Sequence, residues 1–189
     1  MNKDRPPAGP ARRNWMTAVK QTVSRVPSDT EHLLDLLRAA QKKNLFDSDA
    51  LAMIEGVLEV DDMQVRDIMI PRSQVVMLER DAGPDVLLRS IVESGHSRFP
   101  VIGDSRDEVI GILLAKDLLL YAFERKSEHF NLRDVLRPAV FIPESKRLNV
   151  LLKEFRSSRN HIAIVVDEYG GVAGMVTIED VLEQIVGEI

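Results

Sequence analysis

One stretch of this chain occurs twice, and the repeat limits the possible folds more than any other feature. Arg66-Asp67-Ile68-Met69-Ile70-Pro71 returns as Arg133-Asp134-Val135-Leu136-Arg137-Pro138. After each proline the pattern predicts a short apolar strand, Val75 to Leu78 in one copy and Ala139 to Ile142 in the other. An amphipathic helix follows, with Val86, Leu87, Leu88, Ile91 and Val92 answered by Leu148, Val150, Leu151, Leu152 and Phe155. A fully apolar strand comes next, Phe99-Pro100-Val101-Ile102 against Ile162-Ala163-Ile164-Val165, and each copy turns at an aspartate, Asp104 or Asp167. The glycine-rich run Asp167-Glu168-Tyr169-Gly170-Gly171 reads as the hairpin turn. The strand beyond it aligns Val109 with Val172 and Gly111 with Gly174, and the closing helix aligns Asp117 with Asp180 and Leu119 with Leu182. The expected fold is α+β, two β-α-β-β-α units related by a pseudo-twofold with an N-terminal helical arm before them.

The arm is legible from its punctuation. Ser28 with Glu31 fits a capping box ahead of Leu33, Leu34, Leu36 and Leu37. A second helix is predicted from Ser48, and a third, short one from Asp62 that ends before Pro71. Residues 1–27 hold six basic residues, one acidic residue and four of the nine prolines. This segment is expected to be a disordered basic tail, because it has little apolar surface to offset the entropy of ordering. The divisions that follow are a helical lead-in over 28–63, a first repeat over 64–126 and a second over 127–189.

Composition removes several function classes. With no cysteine, a disulfide framework, a thiolate metal site and a cysteine nucleophile are all excluded. A net charge of −5 argues against a general nucleic-acid coat, and no specific nucleic acid is expected as a partner. No apolar run approaches the 18 or so residues of a membrane helix, and the N-terminus has no apolar signal region. A cytoplasmic setting is expected. His32, His96, His129 and His161 do not fall at a metal-ligand spacing, and the acidic sets Asp61-Asp62 and Glu179-Asp180-Glu183, which could attract magnesium, are explained by charge at helix starts without a metal. There is no phosphate-binding Gly-x-x-x-x-Gly-Lys loop and no Gly-x-Ser-x-Gly elbow, so the expected role is not enzymatic.

The end of the second repeat offers recognition chemistry. Gly174 permits a close approach in the last strand, Thr177 sits where strand becomes helix, and Asp180 lies one turn in. Amides at a helix start favour a phosphate, and a carboxylate offers two acceptors to a ribose diol. Thr-x-x-Asp is equally a helix capping box worth about 1 kcal/mol that binds nothing. Both roles can coexist. In the first copy Leu114 stands where the second has Thr177, so the two sites are not equivalent.

The repeat is similar to a tandem cystathionine-beta-synthase (CBS) pair, or Bateman module, and most closely resembles that of the CorC/TlyC (HlyC-like) magnesium and cobalt efflux family. Carrying the resemblance are Val65-Arg66-Asp67-Ile68-Met69-Ile70-Pro71-Arg72, Ser97-Arg98-Phe99-Pro100-Val101, and the run from Val165 to Val172 continuing to Thr177-Ile178-Glu179-Asp180. It implies a regulatory module that holds an adenine nucleotide, ATP or AMP, with or without magnesium, and modulates ion transport. The alternative is a constitutive dimerisation scaffold with a vestigial pocket. Residue by residue, the resemblance places Thr177, Asp180, Met175 and His161 in one cleft with Pro71, Val76, Ser97 and Arg98, where Arg98 meets phosphate. It implies a weak or empty mirror cleft at Asp117 and Pro138, a homodimer through the repeat helices, and a membrane transport component as partner. A C-terminal CorC/HlyC-type domain, usual in the family, is expected to be missing after Ile189.

Overall fold

The computed structural model describes residues 27–118 and 131–187. The basic tail expected over residues 1–27 lies outside these apart from Pro27. The described residues divide into two compact units, with the boundary between Leu51 and Ala52.

The first unit contains helix α1, Thr30–Lys42. Its cap differs from the expected Ser28/Glu31 box. Asp29 is the N-cap, and its Oδ1 accepts from the His32 amide at 2.8 Å. A carboxylate one residue later reaches the free amides better than the shorter serine, whose hydroxyl donates to Asp29 instead. The His32 amide, with help from Ser28, holds the Asp29 carboxyl below the usual carboxylate range. Helix α2, Ser48–Val60, starts in the same way, with Asp47 Oδ1 accepting from the Ala50 amide at 2.8 Å.

The second unit holds both repeats. The first contains α3 (Val65–Ile68), β1 (Ile70–Pro71), β2 (Leu78–Glu79), α4 (Pro84–Ser94), β3 (Arg98–Ile102) and β4 (Val109–Leu114), then a helical turn over 115–118. The second contains a short 3-10 turn at Leu132–Asp134, β5 (Phe141–Pro143), α5 (Leu148–Ser158), β6 (Ile162–Val166), β7 (Val172–Thr177) and α6 (Ile178–Val186). α3 begins three residues later than expected, because Asp62 is in a turn. The strands expected over 75–78 and 139–142 also shift. β2 starts only at Leu78, because the Val75 carbonyl accepts from the Arg106 guanidinium at 3.3 Å and not from a neighbouring strand.

In each repeat the first strand runs parallel to the second and the second antiparallel to the third: β2-β3-β4 and β5-β6-β7. The register corrects the sequence alignment by one residue. Val101 faces Gly111 and Val165 faces Gly174, so Arg98 corresponds to Ile162 and Ser97 to His161. The helix ends agree, since Gly95 and Arg159 are the matching left-handed C-caps at φ 70° and 57°.

Each repeat also lends its opening segment to the other repeat's sheet. β1 adds to β7, with Ile70 opposite Met175 and Pro71 opposite Gly174. Arg137, the counterpart of Ile70, exchanges two backbone hydrogen bonds with Ile112 at 2.8 and 2.9 Å. Gly174 is needed for this crossing, since a Cβ there would strike the Ile70 carbonyl oxygen. One apolar cluster fills the first repeat around Leu87, Phe99 and Leu113, and another fills the second around Leu148, Leu151 and Val176. A third, of Ile102, Val109, Ile112, Ile162, Ile164 and Val172, joins the two sheets. At about 1.5–3 kcal/mol for each buried aliphatic side chain, this junction outweighs any exposed ion pair across it.

Candidate functional site

The site is built where β7 passes into α6. Strand pairing with β6 ends at Thr177, opposite Ile162, and Thr177 becomes the helix N-cap. Its Oγ1 accepts from the Asp180 amide at 3.2 Å. Asp180 Oδ2 in turn accepts from the Thr177 amide at 2.6 Å and from the Thr177 hydroxyl at 2.8 Å. The capping box is therefore fully formed. All three bonds leave Asp180 Oδ1 out, so the cap and a bound hydroxyl do not compete for the same oxygen.

Beside this junction is a cleft of about 580 Å³. Of the residues singled out in the sequence, Thr177, Asp180, Met175, Val76, Ser97 and Arg98 line it. Pro71 and His161 do not. The pleat explains the first and the repeat symmetry the second. Met175 faces the cleft, so its cross-strand partner Ile70 does too, while Pro71 pairs with Gly174 on the opposite face. His161 is the counterpart of Ser97, and pseudo-symmetry places it at the second cleft.

Among the lining residues that the sequence reading missed are Ile70, Gln74, Val75, Gly95, Ile162 and Glu179. The strand register contains the signal for Ile70 and Ile162. Glu179 has a particular electrostatic place: its Oε1 is 3.8 Å from Arg98 Nη1 and 3.9 Å from His161 Nδ1. The guanidinium expected to meet phosphate is thus paired with a carboxylate on the first turn of α6. The cleft combines apolar walls from Ile70, Val76 and Met175, a carboxylate oxygen outside the capping bonds, and one cation.

The second cleft, of about 250 Å³, includes Leu114, Arg137, Pro138 and His161 in its lining. Its aspartate is engaged, with Arg137 Nη2 donating to Asp117 Oδ2 at 3.3 Å. Among the described residues no group of three or more His, Asp or Glu side chains is placed to hold a metal ion. Among the same residues no helix is long and apolar enough to cross a membrane.

Comparison with known proteins places these features in a family. The CBS domain model matches twice, over residues 65–124 and 132–187, and a model described as the N-terminal region of NMB0537 matches residues 25–60. The magnesium and cobalt efflux protein CorC of Vibrio cholerae is 50% identical over 181 residues, which cover 96% of this chain and 62% of that protein. The chain thus spans about three fifths of the length of that relative. The solved CBS domain of a bacterial CNNM/CorC family Mg2+ transporter is 40% identical with a TM-score of 0.78, covering 86% of this chain and 99% of that one. A CBS domain of that family in complex with ATP is 44% identical with a TM-score of 0.69, covering 73% of this chain and 97% of that one. The duplicated unit, the crossed opening strands and these likenesses agree, and the chain belongs to the CBS domain family as a tandem pair of the CNNM/CorC type.

Proposed function

We propose that this CBS pair binds an adenine nucleotide in the Thr177/Asp180 cleft and regulates a magnesium and cobalt efflux protein. The observation that carries the reading is Asp180 Oδ1, which lies outside the capping bonds beside a cleft with apolar walls. A carboxylate oxygen suits a ribose hydroxyl, and Ile70, Val76 and Met175 suit the faces of a flat base. Arg98 supplies charge for phosphate once it exchanges Glu179 for the ligand. Magnesium would arrive on the phosphates, since that ion keeps its waters and prefers phosphate oxygens to an all-protein cage. The relative solved with ATP supports the ligand class.

Regulation follows from how the cleft is built. Val76, Ser97 and Arg98 come from the first repeat and Met175, Thr177 and Asp180 from the second, so a ligand touching both sides favours one arrangement of the repeats. In our reading residues 28–63 lead into repeats over 64–126 and 127–189. The module works in the cytoplasm as a homodimer and passes nucleotide occupancy to a membrane transport component. A second reading is a scaffold with a vestigial pocket, and the Arg98–Glu179 pair favours it because the phosphate cation is already neutralised. Thermal melts with ATP, ADP and AMP, each with and without magnesium, separate the two. A ligand at a hundredfold excess over its Kd stabilises the fold by about 2.7 kcal/mol. If none of the three shifts the melt at millimolar concentration, the sensor reading is wrong.

A further inference from the structure

The pseudo-twofold makes the two clefts comparable position by position, and their differences share one direction. Glu179 corresponds to Lys116, Ile70 to Arg137, Gly95 to Arg159 and Thr177 to Leu114, as fixed by the strand register and by the matching C-caps. Where the first cleft has a carboxylate, an aliphatic wall and a bare backbone, the second has an ammonium and two guanidinium groups. Its hydroxyl has become apolar, and the carboxylate matching Asp180 is taken up by Arg137.

From this exchange we infer that the second cleft is a site for a compact inorganic polyphosphate such as pyrophosphate. Arg98, Lys116, Arg137 and Arg159 all line it, and no acidic side chain does among the described residues. Two carboxylates stand nearby, Asp117 on Arg137 and Glu179 on Arg98, which leaves Lys116 and Arg159 as the surplus charge. That surplus occurs in a chain whose net charge is −5, so it is a local feature and not a reflection of overall composition. Guanidinium groups recognise phosphate oxygens in bidentate fashion, and an ammonium adds a point charge. Size selects against a nucleotide: at about 250 Å³ the cleft is less than half the volume of its counterpart at about 580 Å³. With Leu114 in place of a hydroxyl and Asp117 Oδ2 paired with Arg137, it also offers a ribose less than its counterpart does.

The test is isothermal titration of the full chain with sodium pyrophosphate at constant ionic strength, repeated in the presence of saturating adenosine. The variant is Lys116→Glu with Arg159→Gly, which gives each position the residue its counterpart carries. Both side chains are exposed, and glycine adopts the left-handed backbone of Arg159 without strain, so the variant is expected to match the parent by circular dichroism. Expected are saturable binding to the parent chain, a loss of roughly tenfold or more in the variant, and no displacement by adenosine. Equal binding by the variant, displacement by adenosine, or no saturable binding at millimolar pyrophosphate would each overturn the assignment. The saturable binding and its loss in the variant do not depend on whether the first cleft takes a nucleotide.

Discussion

Arg72 grips Asp107 with both terminal nitrogens, Nη1 on Oδ1 at 2.7 Å and Nη2 on Oδ2 at 2.8 Å. Asp107 Oδ1 also accepts from the Val172 amide at 3.0 Å, so one carboxylate of the first repeat holds the start of β7 in the second. The neighbouring Arg106 donates to the carbonyls of Arg72 and Val75. The segment that brings Gln74 and Val75 to the cleft is thereby fixed at both ends.

This clamp makes stability depend on pH with a defined sign. The Arg72 guanidinium first, and the Val172 amide second, hold the Asp107 carboxyl below its ordinary range. A carboxyl lowered in the folded state stabilises above its unfolded value of about 4, and that contribution fades as pH falls through the lower folded value. Asp107→Asn is therefore expected to melt below the parent chain at neutral pH, with the gap closing below about pH 4. Added salt should narrow the gap too, since the pair is exposed. Melting curves at neutral pH and near pH 3 check this. A gap that persists unchanged in acid would show that the charge is not what the variant loses.

The crossed strands predict an ordered pair of costs. A Cβ on Gly174 runs into the Ile70 carbonyl oxygen, a backbone atom that cannot swing aside. The matching Cβ on Gly111 lies 2.9 Å from the Arg137 carbonyl oxygen, a milder conflict. Gly174→Ala is expected to cost about 2 kcal/mol in urea unfolding and Gly111→Ala less. The reverse order would show that the approach of the facing carbonyl does not set the cost.

Much of this was legible because the repeat is a physical symmetry, and the parts that were not fail for specific reasons. Periodicity and the repeat identified the elements, and the resemblance to CBS pairs placed the clefts at Asp180 and Asp117. A run of apolar residues such as Ile162 to Val166 contains no register mark, since every position is apolar, and the alignment slipped by one there. Only the pairing of Val101 with Gly111 and Val165 with Gly174 fixes it. The same slip hid that Ser97 and His161 are counterparts and line different clefts. Pro71 stood out in the motif, yet the neighbouring Ile70 faces the cleft because side chains alternate along a strand. Glu179 was read only as helix-start charge. Its approach to Arg98 is a tertiary contact that no local pattern contains.

The asymmetry of the clefts predicts unequal effects on nucleotide binding. Asp180→Ala should weaken ATP binding by roughly tenfold or more, about 1.4 kcal/mol, while Asp117→Ala leaves it nearly unchanged. Asp180 also caps α6, so this variant should lose about 1 kcal/mol of stability as well. Titration well below the melting point separates the two effects. Comparable losses from both substitutions would show two working nucleotide sites.

Assembly gives the last expectation. Ile178, Val181, Leu182, Ile185 and Val186 form a wide apolar stripe in sequence, but the fold covers most of it. Val181 is fully buried, and Ile178 and Ile185 pack against the core of the second repeat. Leu182 and Val186 remain exposed on α6, as do Val86 and Val92 on α4, with Val92 at 74%. Aliphatic side chains left on one helix of each repeat suit a second copy of the chain, since a twofold dimer buries the same patch on each partner. Light scattering at tens of micromolar is expected to give twice the chain mass of 21.3 kDa. Val92→Glu combined with Leu182→Glu should shift the mass to that of one chain, because desolvating a carboxylate in an apolar contact is costly. Neither side chain belongs to the core, so circular dichroism of the monomer should match the parent. A parent chain that already runs at 21.3 kDa would remove the helices from the interface and leave both patches for another partner.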